Sequence, residues 1–146
     1  MVNKTLKNLD RYYRLDAPKE FWNDLKETPY KVKECCNGVG STVGFLGKIT
    51  YHLIPNRIYG LDVTEASDIH DYMCTYPKYF KTKQDAVNWK RMADNMLLDN
   101  VIIIIERDTR WQWLKNLRRY RAMSFYNAVD SFGDESFFDD KIIGEK

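Results

Sequence analysis

The spacing of apolar residues along the chain predicts helices at both ends and a short region of strand between them. Apolar and aromatic residues recur at helical spacing over residues 8–26. Pro18 must begin a new helical segment there, because proline lacks the N–H of a helix interior. Residues 48–54 alternate apolar and polar side chains, which is typical of a half-buried strand. Ile58 and Tyr59 are expected to pair with it as a second short strand.

Three more helices are predicted after this hairpin. The first covers 63–75, with Asp62 as its N-cap. The second covers 82–107, because no strong turn signal interrupts its apolar periodicity. The third covers 110–132, and Gly133 stands where a glycine commonly ends a helix. Five apolar residues are expected on the core side of this third helix: Leu114, Leu117, Phe125, Val129 and Phe132.

These elements predict an α+β fold that is mainly helical, with a core of three helices, a small antiparallel β-hairpin and an N-terminal helical extension. The extension covers residues 1–36, the core domain 37–133 and an acidic C-terminal tail 134–146. A length of 146 residues suits one domain, and 44% hydrophobic residues are enough for a core. The longest apolar run, 101–105, is too short for a transmembrane segment, and no secretory signal is expected at the N-terminus.

Charge and cysteine content narrow the classes of function. The formal net charge of +2 gives no electrostatic case for a nucleic-acid partner. Cys35, Cys36 and Cys74 form an odd set without a CxxC pair, which predicts free thiols in a reducing cytoplasm. With only two histidines, the chain offers too few ligands for a structural zinc site.

The most informative residue is His70, on the first of the three later helices. It shares a helical face with Ala66 and Met73 and should therefore point toward the core. Asp71 is turned about 100° away, at the rim of that face. On the next helix, Asp94 falls on a largely apolar stripe, and an isolated buried charge there would cost several kcal/mol. We therefore expect His70 and Asp94 to form a hydrogen bond.

Such a pair has two interpretations. A carboxylate bound to an imidazole fixes its tautomer and stabilises the imidazolium, which a general base requires. His70 and Asp94 would then be catalytic residues. Alternatively, the pair is a buried polar link that joins two helices and performs no chemistry. The residues alone leave open whether the protein is an enzyme.

Three motifs follow one another within residues 58–138. They are the histidine–aspartate segment ASDIHDYM at 66–73, an alanine–aspartate pair at 93–94 with Met96 close behind, and an arginine-rich segment from Arg118 that ends in YNAVDSFG at Gly133. In this order and spacing the chain resembles a family of uncharacterised phage and prophage proteins. The resemblance implies a virion component or morphogenesis factor, made in the host cytoplasm, whose partners are other phage structural proteins or further copies of itself.

The histidine–aspartate helix with an aspartate on a second helix is also similar to the site of calcium-dependent phospholipases A2. That resemblance implies that His70 activates water, Asp71 binds calcium, Asp94 orients the histidine, and a lipid or cell-envelope ester is hydrolysed. Two departures from the phospholipase pattern are visible. Cys74 stands where that pattern has a tyrosine. Calcium prefers six to eight oxygen ligands, and the sequence identifies only one carboxylate for it.

A third pattern, H…HD…D of metal-dependent phosphohydrolases, would add His52, which lies on a predicted strand instead of a helix. Without the calcium analogy, no cofactor is expected.

A basic segment with two tryptophans completes the candidate binding residues. Its cations are Arg107, Arg110, Lys115, Arg118, Arg119 and Arg121. A membrane surface could bind them, but the near-neutral net charge favours a solvated face paired with the acidic tail. Trp111 and Trp113 cannot share one helical face. One of them would therefore be exposed to a protein partner or a membrane interface. Alternatively, it covers the N-terminal helices, and we favour this second interpretation. The candidate binding residues are Arg118, Arg119, Arg121, Trp111 and Trp113.

Overall fold

The computed structural model describes part of the chain, namely residues 12, 14–28, 32, 57–75 and 80–132. These residues form helices α1 (Lys19–Glu27), α2 (Thr64–Thr75), α3 (Lys83–Asp108) and α4 (Gln112–Phe132), and strands β1 (Arg57–Ile58) and β2 (Leu61–Asp62). The predicted mainly helical α+β class is confirmed. Several predicted features lie outside the described residues: Cys35, Cys36, the strand over 48–54 with His52, the side chains of Val129 and Phe132, Gly133 and the tail over 134–146.

The two short strands form a tight antiparallel hairpin in which Ile58 lies opposite Leu61. Tyr59 and Gly60 make the turn, with φ angles of 44° and 80°. Positive φ at both central residues is the geometry that matches the twist of paired strands, and glycine adopts it without steric cost. The sequence analysis placed Tyr59 in a strand, and this was wrong because the turn begins one residue before the glycine that signals it.

The predicted ends of the helices agree with the structure to within about two residues. α2 begins one residue later than expected, so Asp62 belongs to β2, yet its carboxylate accepts the backbone N–H of Thr64 at 2.9 Å. It thus satisfies a donor that the first turn leaves unpaired. Thr82 is the N-cap of α3, and its hydroxyl accepts the N–H of Asp85 at 3.1 Å. From there α3 continues unbroken to Asp108, as its periodicity predicted.

The long helix α3 lies between α2 and α4 and packs against both. The indole N–H of Trp89 on α3 donates to the carbonyl oxygen of Met73 on α2 at 2.8 Å, which fixes one end of that contact. On the other side of α2, the ring of Tyr72 meets the ring of Phe21 of α1 edge to face, with centroids 5.2 Å apart. The face of α2 that carries His70 is therefore enclosed by helices, and His70 faces α3.

The buried face of α4 differs from the predicted one. Leu117 was expected in the core but is 42% exposed, whereas Arg118 and Ala122 are buried. Phe125 lies partly buried against the core, as expected. The inward face of α4 is centred near Ala122, so Leu117 is rotated out of it.

A buried amide holds the segment before α1 against α3. The side chain of Asn100 is fully buried, its Nδ2 donates to the carbonyl oxygen of Asp16, and its Oδ1 accepts the N–H of the same residue, each at 2.7 Å. One side chain thus satisfies both backbone groups of a residue 84 positions away.

Replacing this amide should destabilise the fold. We expect Asn100→Ala to lower the free energy of unfolding by about 1–3 kcal/mol, because the two backbone groups of Asp16 lose the side chain that joins them to α3. Urea unfolding measures the change. Asn88→Ala, the same substitution at an exposed position of α3, should change it by less than about 0.5 kcal/mol. Equal effects of the two substitutions would contradict this account.

Candidate functional site

The expected hydrogen bond between His70 and Asp94 is present. Nε2 of His70 lies 2.8 Å from Oδ1 of Asp94, across the contact between α2 and α3. Both side chains are nearly inaccessible to water, with exposures of 2% and 1%. The carboxylate that the sequence placed on an apolar stripe therefore has the partner that burial requires.

A second cation, which the sequence analysis missed, completes the environment of the carboxylate. Nζ of Lys90 donates to Oδ2 of Asp94 at 2.6 Å, so each carboxylate oxygen has one positively charged or protonatable partner. Lys90 stands four residues before Asp94 on α3, a spacing at which helical side chains meet. That spacing was the available signal, but lysines are rarely buried, and the sequence alone gave no reason to expect this one in the interior.

Cys74 also lies against the imidazole of His70. Its sulfur is 3.9 Å from Nδ1 and 3.7 Å from Nε2 of His70, one helical turn earlier on α2. As a whole residue, Cys74 is partly exposed, whereas His70 and Asp94 are almost fully buried. The sequence analysis gave this cysteine no role. We refer to His70, Cys74, Lys90 and Asp94 together as the His70 cluster.

The electrostatics of the His70 cluster place a proton on the imidazole. Burial alone would lower the pKa of His70, but the charge of Cys74 and the hydrogen bond to Asp94 outweigh it and raise the pKa to about 10. Burial alone would raise the pKa of the Asp94 carboxyl. The hydrogen bonds and positive charges of His70 and Lys90 lower it by more than burial raises it, so this pKa lies below its ordinary value. The pair is thus an ion pair near neutral pH, and its imidazolium has no free site to accept a proton as a general base.

Asp71, the candidate calcium ligand, follows His70 on α2 and is partly buried. Burial raises the pKa of its carboxyl to about 6, and the positive charge of His70 offsets part of that shift. Among the described residues, no group of three or more histidine, cysteine, aspartate or glutamate side chains is arranged to hold a metal ion.

A surface groove of about 500 Å³ lies away from the His70 cluster, between the segment at Asp16–Ala17 and the outer side of α3. Its wall on α3 is formed by Asn88, Arg91, Met92, Asn95, Met96 and Asp99. Neither His70 nor Asp94 lines this groove, so it gives no substrate access to the buried pair.

Arg118, predicted as a surface binding residue, is buried instead. Its Nη1 donates to the hydroxyl of Thr109 and its Nη2 to the carbonyl oxygen of Tyr59, each at 2.7 Å. The planar guanidinium thereby joins α4 to the end of α3 and to the turn of the hairpin. The prediction was wrong because a basic segment was treated as one solvated face, although one of its cations points inward.

The remaining predicted binding residues are at the surface of α4. Trp111 and Trp113 are 55% and 65% exposed, with rings stacked 19° from parallel at a centroid distance of 6.4 Å. Our preference for a tryptophan that covers the N-terminal helices was wrong. Trp111 precedes the first residue of α4, so helical spacing does not separate the two rings. Arg119 pairs with Glu106 of α3, and the guanidinium of Arg121 lies 4.6 Å from the ring centroid of Phe125.

An exposed apolar row on α4, which we call the outer stripe, consists of Trp113, Leu117 and Tyr120. The residues follow one another at spacings of four and three, so they lie on one side of the helix, opposite the buried Ala122. Leu117 is 42% and Tyr120 is 75% exposed. The sequence analysis missed this row because it assigned Leu117 to the core.

Comparison with protein-family models, with curated proteins and with solved structures finds no match to the chain. In the described part of the chain, no helix is both long and apolar enough to cross a membrane. The described residues offer two candidate functional places, the His70 cluster and the outer stripe.

Stability should depend on pH through His70. The pKa of His70 in the folded state is raised above the unfolded value of about 6.5. Protonated His70 therefore contributes its full stabilisation to the fold below pH 6.5, and this stabilisation is lost as the pH rises through about 10. We expect the free energy of unfolding to fall by several kcal/mol over this window and the fall to be smaller in His70→Gln. Urea titrations under reducing conditions measure both slopes, with the exposed Asp99→Asn as the control. Equal slopes in the parent and His70→Gln would contradict this assignment.

Neutralising Asp71 should stabilise the fold at neutral pH. Because burial raises its folded-state pKa to about 6, ionising it between pH 4 and 6 costs the folded state free energy. We expect Asp71→Asn to raise the free energy of unfolding at pH 7 by about 1–2 kcal/mol, with little change at pH 4. Chemical denaturation at both pH values tests this. A loss of stability at pH 7 would show that the ionised carboxylate is favourably bound.

Proposed function

We propose that this chain is a phage virion component or morphogenesis factor that acts through protein–protein contacts made by the outer face of α4. The phage context comes from the motif order over residues 58–138. The outer stripe is the observation that supports protein–protein contacts, because contiguous apolar surface of this kind marks interaction sites in folded proteins.

The composition and spacing of the outer stripe suit a helix that binds in an apolar groove. Trp113 and Tyr120 belong to the residue types that contribute most to binding energy at protein interfaces. With Leu117 between them, they repeat the spacing by which one helix packs into the groove of another protein. The stacked Trp111 extends the same apolar surface beyond the start of α4.

Charge favours a different protein as the partner over a second copy of this chain. Residues 110–121 contain five basic side chains and no acidic one. Lys115 and Arg119 are paired with Glu106, and Arg118 is buried, which leaves Arg110 and Arg121 exposed at the margins. Two identical faces would bring like charges together, whereas an acidic rim around an apolar groove complements them. We therefore infer an acidic structural protein of the same phage.

The second candidate function is a hydrolase of lipid or envelope esters, with His70 as the base, Asp94 as the orienting acid and Asp71 as a calcium ligand. The 2.8 Å hydrogen bond between His70 and Asp94 favours it. The protonated state of the imidazole and its burial weigh against it. Ester hydrolysis that requires calcium in the parent protein and is lost in His70→Gln, while the variant stays folded, would reverse this ranking.

Mass spectrometry of particles and assembly intermediates purified from the phage that encodes the chain tests the proposal. We expect a fixed copy number in mature particles for a virion component, or in intermediates alone for a morphogenesis factor. The double variant Trp113→Ser/Tyr120→Ser should reduce incorporation at least tenfold, because it removes the anchor residues of the stripe. Gln112→Ser/Asn116→Ser, two exposed polar positions on the same helix, should not.

Absence of the chain from both particles and intermediates would contradict the proposal. Unchanged incorporation of Trp113→Ser/Tyr120→Ser would contradict the role of the outer stripe. Concentration-dependent dimerisation of the purified chain that this variant abolishes would identify a second copy as the occupant instead. Binding of single-stranded DNA with the same sensitivity would identify a nucleic-acid surface.

A further inference from the structure

Cys74 and the buried ion pair form an array of thiol, imidazole and carboxylate. Asp94 binds Nε2 of His70 at 2.8 Å, and the sulfur of Cys74 lies against the same imidazole, 3.7 Å from Nε2 and 3.9 Å from Nδ1. A thiol next to an imidazolium that a carboxylate holds in place is an arrangement that stabilises the thiolate.

We propose that Cys74 is a nucleophilic thiol, activated by His70 and Asp94, that reacts with small uncharged electrophiles such as hydrogen peroxide. This inference is independent of the role proposed for the outer stripe, and either one can fail without the other.

The charges around the thiol support its anionic form. With His70 and Lys90 protonated and Asp94 ionised, the three groups carry a net charge of +1, which a thiolate at Cys74 would neutralise. The proton that the thiol loses is held by the imidazole, and the hydrogen bond between Nε2 and Asp94 stabilises the resulting imidazolium. Asp71 is the other carboxyl near His70, and when ionised it competes with the thiolate for the same positive charge.

The reaction with peroxide balances without a further reactant. The thiolate sulfur attacks one peroxide oxygen, an S–O bond forms and the O–O bond breaks. The leaving hydroxide takes the proton of the His70 imidazolium and departs as water. The sulfur is oxidised by two electrons to a sulfenic acid, and the peroxide is reduced to water. A small, uncharged reagent is required because the thiol is only partly exposed and stands beside buried charges.

Alkylation by iodoacetamide at pH 8 and pH 6.5 tests the activation in the full chain. Tryptic peptide 58–78 carries Cys74 alone, whereas Cys35 and Cys36 fall in peptide 34–48, so mass spectrometry follows Cys74 separately. N-acetylcysteine, with an ordinary thiol, should react about 25-fold more slowly at pH 6.5 than at pH 8. We expect the rate at Cys74 to change less than about threefold, because His70 keeps the proton of the thiol at both pH values.

Variants separate activation from simple accessibility. Asp94→Asn should make Cys74 follow the pH dependence of N-acetylcysteine, whereas Asp99→Asn, the same substitution at an exposed position of α3, should not. Asp71→Asn should maintain or increase the rate at pH 6.5, because it removes the competing carboxylate. If Asp94→Asn does not fold, the pH dependence of alkylation in the parent protein still distinguishes an activated thiol from an ordinary one.

A parent profile that follows N-acetylcysteine would overturn the proposal. So would a Cys74 that is alkylated only after unfolding. Hydrogen peroxide followed by dimedone, which labels sulfenic acids, should mark peptide 58–78 in the native protein. Absence of that label would overturn the assignment of peroxide as a substrate.

Discussion

The carboxylate of Asp94 lies between two cationic side chains, and the packing of α2 on α3 depends on how that charge is balanced. His70 reaches it from α2 and Lys90 from α3, and almost no water reaches any of the three. Removing one member of such a group typically costs 3–5 kcal/mol, because an uncompensated charge stays in the interior. The same balance fixes the ring orientation of His70 and hence its distance to Cys74. A contact that holds two helices together therefore also sets the chemical environment of the one described thiol.

The helices and the central contact could be predicted because both follow from simple constraints. Apolar periodicity located α2, α3 and α4, and the side chain of Thr82 explains why α3 begins where the sequence indicated. The pairing of His70 with Asp94 followed from the cost of burying a carboxylate alone. Neither inference needed knowledge of how distant parts of the chain are arranged.

The other features depend on tertiary contacts that periodicity does not contain. Lys90 is buried against Asp94, and although the spacing of four residues pairs them, it does not say which side of α3 the other helices cover. Arg118 is buried because a hydroxyl and a carbonyl oxygen lie within reach, and neither partner could be identified from local spacing. The inward turn of Arg118 also explains why Leu117, one position earlier, faces solvent. The roles of Cys74 and the outer stripe were missed for the same reason, since each depends on which side of a helix its neighbours cover.

The two buried cations that join helices to their neighbours differ in how they respond to acid and base. His70 is bound to an ionisable carboxylate and can itself gain or lose a proton, so the contact between α2 and α3 changes with pH. Arg118 binds a hydroxyl and a carbonyl oxygen, which carry no charge. The contact between α4 and the hairpin therefore needs no ionised partner. A change in acidity can loosen one side of α3 while the aromatic surface on the other side stays in place.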